Sequence, residues 1–448
     1  MAYRTRLFTE RTSNVSGMES IRLLRKDLVS WWTKDMYDSG IEAVPLGRRT
    51  FYHFARPEFM QHVLLEKSDH FVVSHIAKIM LGLAMGEGLL TSDKEQWRAQ
   101  RRMAAPLFRK LTMDQYLPVM DQSALKSVML LKGKLGQEQI MLPVMTATTL
   151  DVILDSIFGG IDVDRPMVAR EVENYLKVMA VVGITDTLQI PRWILRPWRW
   201  RGYLAVWRLR RLVNQMLSSH RHNGANEEGL LSRMLAMKDP ETGEGMPRRL
   251  IVDNIMTFVG AGHETTSVGL SWALYLLAEQ PELQEKIAAE VSSVVSDEPL
   301  TMEAIEKLDL TRRFFMETMR LYPPVAAMVR SVETDVTISG IDLKKDDHVT
   351  LATLPMHRNP LYWPDPDAFD PDRFLPEEIK KRPRFSYLPF GGGPRICIGM
   401  EFTMLEAVTI LARLVKAYRF LPTGKNPHPL VSVTTRPDNG VPLIVERR

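Results

Sequence analysis

Residues 390–399, Phe390-Gly-Gly-Gly-Pro-Arg-Ile-Cys397-Ile-Gly399, hold the chain's one cysteine and decide how the rest is read. They run straight into a segment beginning at Met400 whose apolar residues Met404, Val408, Leu411 and Val415 fall on one helical stripe. A cysteine just ahead of a helix meets unpaired N–H groups and the positive end of the helix dipole. Arg395 adds charge, and the glycines let backbone amides turn toward sulphur. All three features favour a thiolate, and glycine also lets a flat ring approach the backbone closely. The bland alternative is a small buried hydrophobe in a turn. Gly391-Gly392-Gly393 is not a phosphate cradle, because the Gly-Lys-Ser/Thr ending is missing, and no third spaced glycine completes a dinucleotide fingerprint.

Outward from this loop, 448 residues at 45% hydrophobic and 25% charged form an ordinary globular composition. No linker-like stretch, low-complexity tract or repeat divides them, so a single large domain over 1–448 is expected. A net charge of +4 from 58 basic and 54 acidic residues is too even to imply nucleic acid. The first twenty residues contain no apolar core for a signal peptide, and no run of about 18 uninterrupted apolar residues occurs, so a cytoplasmic, non-spanning protein is expected. One cysteine excludes an intramolecular disulfide and any multi-cysteine metal site within the chain.

Helical patterns dominate, and the fold class expected is mainly α with small β-sheets. The strongest helix begins near Pro247 and ends before Pro281, with Ile255, Val259, Gly262, Leu270, Ala273 and Leu277 at helical spacing. A second spans about Leu310 to Leu321 and is stopped by Pro323-Pro324. Residues 42–54 read as a hairpin, short β-rich runs surround Ile338-Gly340-Ile341 and Val349–Thr353, and Asn439-Gly440 signals a final hairpin between Leu430–Thr435 and Val441–Val445.

Three side-chain pairings stand out on these helices. Near its middle the long helix carries Gly260-Ala261-Gly262-His263-Glu264-Thr265-Thr266, residues that helix propensity discourages there. Such a conflict suggests a groove, where the Thr265 hydroxyl competes for the Ala261 carbonyl and opens a turn to water. His263-Glu264 is not a zinc-protease pair, since Ser267 stands where the second histidine belongs. Glu317 and Arg320 are three apart on one helical face, by themselves an ordinary surface ion pair. Trp97 and Arg101, four apart, place an indole N–H and a guanidinium on one face, where both can donate to an anion.

The cysteine segment resembles the haem-binding signature of the cytochrome P-450 superfamily, Phe-x-x-Gly-x-Arg-x-Cys-x-Gly, at every defined position, and the other pairings match its further motifs in order. The resemblance implies a haem-thiolate fold holding haem b, with Cys397 as the axial iron ligand, whose electron donation favours cleavage of the oxygen–oxygen bond. Phe390, Gly391 and Gly399 then belong to the haem loop, while Trp97, Arg101, Arg330 and Arg395 are the expected propionate donors. Ala261 lines the oxygen groove and Glu264 with Thr265 form the acid–alcohol pair. Glu317, Arg320 and Arg373 become a structural charge triad, and His263 is packing or polar lining.

The implied activity inserts one oxygen atom of O2 into a C–H or C=C bond of a lipophilic substrate, a fatty acid, terpenoid or steroid. Electrons would arrive from an external ferredoxin and its reductase, the protein acting as a monomer. Peroxygenase or isomerase chemistry and non-catalytic gas sensing on the same haem are the alternatives. The substrate pocket is expected from the Ser74–Leu90 loop, Val178–Ile190, Val259–Ala261 and Val325–Met328. An acidic ferredoxin is expected on Arg98, Arg102, Arg109 and Lys110, and the tryptophan- and arginine-rich residues 191–211 suggest transient contact with a membrane surface.

Overall fold

The computed structural model describes residues 32–46, 49–159, 163–179, 200–222 and 229–448. Its principal helices are α1 (His75–Met85), α2 (Lys94–Ala104), α3 (Leu117–Lys132), α4 (Met141–Phe158), α5 (Arg165–Met179), α6 (Trp200–His222), α7 (Arg248–Ala278), α8 (Asp309–Leu321) and α9 (Met400–Ala417). The class is mainly helical with small sheets, as expected. Helix α7 has Pro247 at its N-cap and crosses the core buried on all sides rather than on one stripe. Only Gly260, Ala261, Gly262 and Thr265 keep partial exposure between Ile251 and Ala278.

A five-stranded sheet runs in the order β1 (Ile41–Leu46), β2 (Arg49–Phe54), β8 (His348–Leu351), β5 (Met328–Val332) and β3 (Phe71–Val73). Strands β2 and β8 are parallel, the other neighbours antiparallel. The expected 42–54 hairpin is β1–β2, and the runs around Ile338 and Ile341 pair as β6 (Val336–Ile338) and β7 (Ile341–Leu343).

The final hairpin differs from expectation. Strand β10 (Pro429–Val431) pairs with β11 (Thr435–Pro437), whereas β12 (Pro442–Arg447) joins β9 (Tyr418–Pro422) and β4 (Glu138–Ile140). Gly440 is therefore a crossing point between sheets rather than a hairpin tip. Its φ is +70°, and a Cβ there would lie 2.7 Å from Ile140, so glycine meets both a backbone and a packing demand. The Ser74–Leu90 segment also departs from its reading as a loop, since His75–Met85 is helical and capped by the Ser74 hydroxyl.

Helix α4 is long and apolar enough to cross a membrane by length and composition, but two thirds of its span is buried in the fold. Thr149 on it donates to the His263 carbonyl of α7 at 2.9 Å. Gly262 makes that approach possible, because a Cβ would stand 3.2 Å from Ile153.

Candidate active site

The cysteine loop is held from both ends. The Cys397 N–H donates to the Phe390 carbonyl at 2.9 Å, and Gly399 caps α9, its carbonyl accepting from Thr403 N–H at 2.8 Å. Gly393, at φ +67°, passes so close to the Leu64 carbonyl that a Cβ would sit 1.8 Å from its oxygen. Gly391, at φ +71°, is likewise in the left-handed region that favours glycine.

Cys397 is exposed, yet protein surrounds it, so its sulphur faces an internal cleft rather than the outer surface. That burial pushes the thiol above its ordinary value, opposed by the Gly399 N–H and by the charge of Arg101. The amide and the cation act in the direction expected of the loop, with burial working against them. Arg395 is not the charge that acts on the sulphur, because it donates to the Ser92 carbonyl at 2.6 Å and to Asp93 at 3.0 Å. Coordination to a metal would itself deprotonate the thiol.

Around the same cleft stand the expected anion donors. Arg101 lies close enough to feel Cys397 and has no carboxylate partner among the described residues. Arg330 on β5 donates only to the neighbouring Val329 carbonyl at 3.0 Å, and burial, with Arg395 nearby, lowers it to about 10. Trp97 stacks beneath Arg395, whose guanidinium carbon is 4.6 Å from the ring centroid. Arg101 and Arg330, neither of them in an ion pair among the described residues, fit a ring that carries carboxylates. Asp93, which also pairs with Lys78, was missed in the sequence; its position before a helix reads as an ordinary cap.

Behind the loop, Arg320 donates two hydrogen bonds to the Glu317 carboxylate, both at 2.7 Å and with both side chains fully buried, and Arg373 Nε approaches Glu317 at 3.5 Å. Arg320 also donates to the carbonyls of His357, Pro366 and Ala368. His357 continues the chain of contacts: its Nε2 accepts from Leu388 N–H at 2.8 Å, two residues before Phe390. No spacing along the chain marks His357.

On α7 the Thr265 hydroxyl donates to the Ala261 carbonyl at 2.8 Å, as expected, but the helix stays continuous across it. Gly260 and Gly262 serve packing too, since Cβ atoms there would meet Met85 at 3.1 Å and Ile153 at 3.2 Å. His263 is buried, with Nδ1 2.7 Å from the Val259 carbonyl, in keeping with a packing role. No side-chain hydrogen bond joins Glu264 to Thr265. Its carboxylate accepts Arg436 Nε at 2.6 Å, Arg436 Nη2 at 2.7 Å and the Thr434 hydroxyl at 2.8 Å. Burial pushes Glu264 up, but the Arg436 bonds and charge outweigh it and hold the carboxyl below its ordinary range.

Beside Gly260 lies an apolar cavity lined by Ala84, Met85, Phe158, Val172, Leu212 and Val259, among others. The expected α1 and α7 contributions are present, residues 180–190 lie outside the described residues, and Val325–Met328 is not on this wall. Leu154 and Phe158 of α4 and Leu209, Leu212 and Val213 of α6 complete it; nothing in the sequence distinguished them from core.

A cleft-facing cysteine, two cations and a partly exposed turn of the core helix thus lie within one long family match: the family cytochrome P-450 matches residues 32–441. The chain belongs to the cytochrome P-450 family. It is 32% identical over 410 residues to cyclooctatin synthase of Streptomyces melanosporofaciens, covering 89% of this chain and 87% of that protein. Cyclooctat-9-en-7-ol 5-monooxygenase of the same organism is 29% identical, covering 85% and 82%, and human cytochrome P-450 4V2 is 30% identical, covering 81% and 74%. Among solved structures, the cytochrome P-450DA heme domain superposes with a TM-score of 0.83 at 26% identity, covering 92% of this chain and 90% of that one. The P-450 assignment brings monooxygenase activity and a haem cofactor, and Cys397, the chain's one cysteine, stands in the family's signature.

Proposed function

We propose that this P-450 is a single-domain enzyme that hydroxylates or epoxidises a neutral lipophilic substrate held in the cavity beside Gly260. When bound, haem b supplies the activation of O2 that places one oxygen atom in the substrate and the other in water. Cys397 ligates its iron, with Phe390, Gly391 and Gly399 shaping the loop, and Trp97, Arg101, Arg330 and Arg395 hold its propionates. Ala261 lines the oxygen groove, while Glu264 and Thr265 hold and move protons there. The observation that carries this reading is the partial exposure of Gly260, Ala261, Gly262 and Thr265 on a helix otherwise buried from Ile251 to Ala278.

The cavity lining contains no charged side chain among the described residues, and Tyr175, its polar member, already donates to the Met80 carbonyl at 2.7 Å. A terpenoid-like hydrocarbon skeleton suits such walls better than a fatty acid, whose carboxylate would need a cation. The name of one Streptomyces relative, cyclooctat-9-en-7-ol 5-monooxygenase, gives a neutral alcohol, which supports a neutral occupant.

Electrons come from an external ferredoxin and reductase in the cytoplasm, the P-450 acting as a monomer. Of the four expected docking cations, Arg102 is tied to Asp239 and Glu241, and Arg98 to Asp69 and Glu95. Lys110 pairs with Glu306 at 3.2 Å, which leaves Arg109, two residues before Leu111 at 91% exposure, as the better docking point. Trp193 and Trp198 lie outside the described residues, but Trp200, Tyr203 and Trp207 of α6 are exposed beside Arg201 and Arg211, while Leu209 and Leu212 of the same helix line the cavity. That arrangement suits transient contact with a membrane carrying lipophilic substrate.

Substrate-dependent NADH consumption with a surrogate ferredoxin and reductase tests the function. A neutral terpenoid should stimulate oxidation and yield an oxygenated product; oxidation unaffected by every lipophilic compound offered would reject it.

A further inference from the structure

Asp93 stands at the N-cap of α2, yet its carboxylate makes no capping bond to that helix. The next residue, Lys94, has a φ of +50°, a left-handed conformation that residues other than glycine seldom adopt. A cap left unused beside a strained residue marks a carboxylate required elsewhere. One of its oxygens accepts the Val73 N–H at 3.0 Å and Arg395 Nη2 at 3.0 Å, and the other pairs with Lys78 Nζ of α1.

These contacts bear on both arginines expected at the haem edge. Arg395 is held at once by the Asp93 carboxylate, the Ser92 carbonyl and the face of Trp97, so its guanidinium is fixed before any ligand arrives. Val73 lies on the edge strand β3 directly opposite Arg330 of β5, so Asp93 also pins the strand beside that second arginine. Asp93, Trp97, Arg330 and Arg395 line one polar cavity. Burial lowers both arginines, and the charge of Asp93 opposes it in each. A carboxylate among propionate donors is nevertheless out of place, because it repels the anions those donors would hold. Lys78 supplies the offsetting positive charge from outside the donor set.

We propose that Asp93 is a positioning residue that fixes Arg395 for a haem propionate, and that the Asp93–Lys78 pair adjusts the haem's one-electron reduction. The Asp93 charge works against an arriving electron and the Lys78 charge works for it, so the intact pair nearly cancels. The inference rests on the reading of Arg330 and Arg395 as propionate donors.

The test is a spectroelectrochemical titration of the haem-loaded, substrate-free protein as wild type, Asp93→Asn, Lys78→Met and the double variant. Asp93→Asn should shift the reduction equilibrium toward the ferrous form and Lys78→Met toward the ferric form, each by about threefold to tenfold, tenfold being about 59 mV for one electron. The double variant should return close to the wild-type midpoint. A merely structural disturbance would move both single variants the same way and add in the double. Lys78 keeps 33% exposure, so Lys78→Glu carries the test should an Asp93 variant fail to fold, and its shift should exceed that of Lys78→Met. The Soret band of the reduced carbon monoxide complex should match wild type throughout, which separates a charge effect from a lost ligand. Haem transfer to an acceptor globin reads the positioning role: Asp93→Ala should lose haem faster than wild type, and Asp93→Asn, which keeps an acceptor for Arg395, should fall between them. Wild-type midpoints in both single variants, or shifts of the same sign, would overturn the role of the pair, and wild-type haem retention in Asp93→Ala would overturn the positioning. Haem held equally well by Arg395→Gln would instead overturn the propionate reading beneath both.

Discussion

Glu317→Ala would leave the Arg320 guanidinium, fully buried, without its counter-ion. Breaking a buried pair from one side costs about 3–5 kcal/mol. Arg320 keeps the carbonyls of His357, Pro366 and Ala368, which soften the loss, but Asp370 N–H loses its 3.0 Å acceptor, adding about 1–3 kcal/mol. A net of about 4 kcal/mol is reasonable on these terms. Unfolding entropy of about 2.1 cal/mol/K per residue gives roughly 0.9 kcal/mol/K for this length, so Tm should fall by roughly 4 °C. The damage should also travel. Arg320 holds the His357 carbonyl, and His357 holds Leu388 N–H at the start of the cysteine loop, so haem should dissociate faster from the variant. Calorimetry of the haem-loaded protein and haem transfer to an acceptor globin read the two effects. A variant within 1 °C of wild type that keeps its haem equally well would show that the triad neither supports the fold nor fixes the loop.

Thr265→Ala should leave haem and substrate binding intact but release hydrogen peroxide in place of product, measured as product and peroxide formed per NADH consumed; full coupling would remove Thr265 from proton handling. Arg101→Gln and Arg330→Gln should each speed haem loss several-fold, since each removes a cation without another counter-ion beside the cleft; unchanged dissociation in both would reassign the propionate site. His357 and His348 are lowered by burial to about 3 and about 4, so both stay neutral in the fold while the unfolded chain takes protons near pH 6.5. Stability should therefore fall as pH drops below about 6.5, by up to about 1.4 kcal/mol per unit for each, and His357→Gln should flatten the slope in urea titrations.

The parts legible in the sequence are those fixed by local spacing. Glu317 and Arg320 are three apart and Thr265 and Ala261 four apart, and each pair meets as expected, while the signature from Phe390 to Gly399 is contiguous. Long-range partners were not legible. Arg436 reaches Glu264 across 172 positions, and Asp93 reaches Arg395 across 302. The misplaced final hairpin has the same origin, because Asn439-Gly440 is a good turn signal in isolation and tertiary packing against Ile140 decides its use. Burial of the Cys397 thiol, which works against the amide and Arg101, likewise depends on long-range packing that local spacing does not show.

The spectrum of the reduced carbon monoxide complex speaks to Cys397 without needing substrate or redox partner. The wild-type protein should show the red-shifted Soret band of thiolate ligation, and Cys397→His should lose it while still binding haem. An unshifted band in the wild type, or a red-shifted one that survives in Cys397→His, would mean that Cys397 is not the iron's ligand.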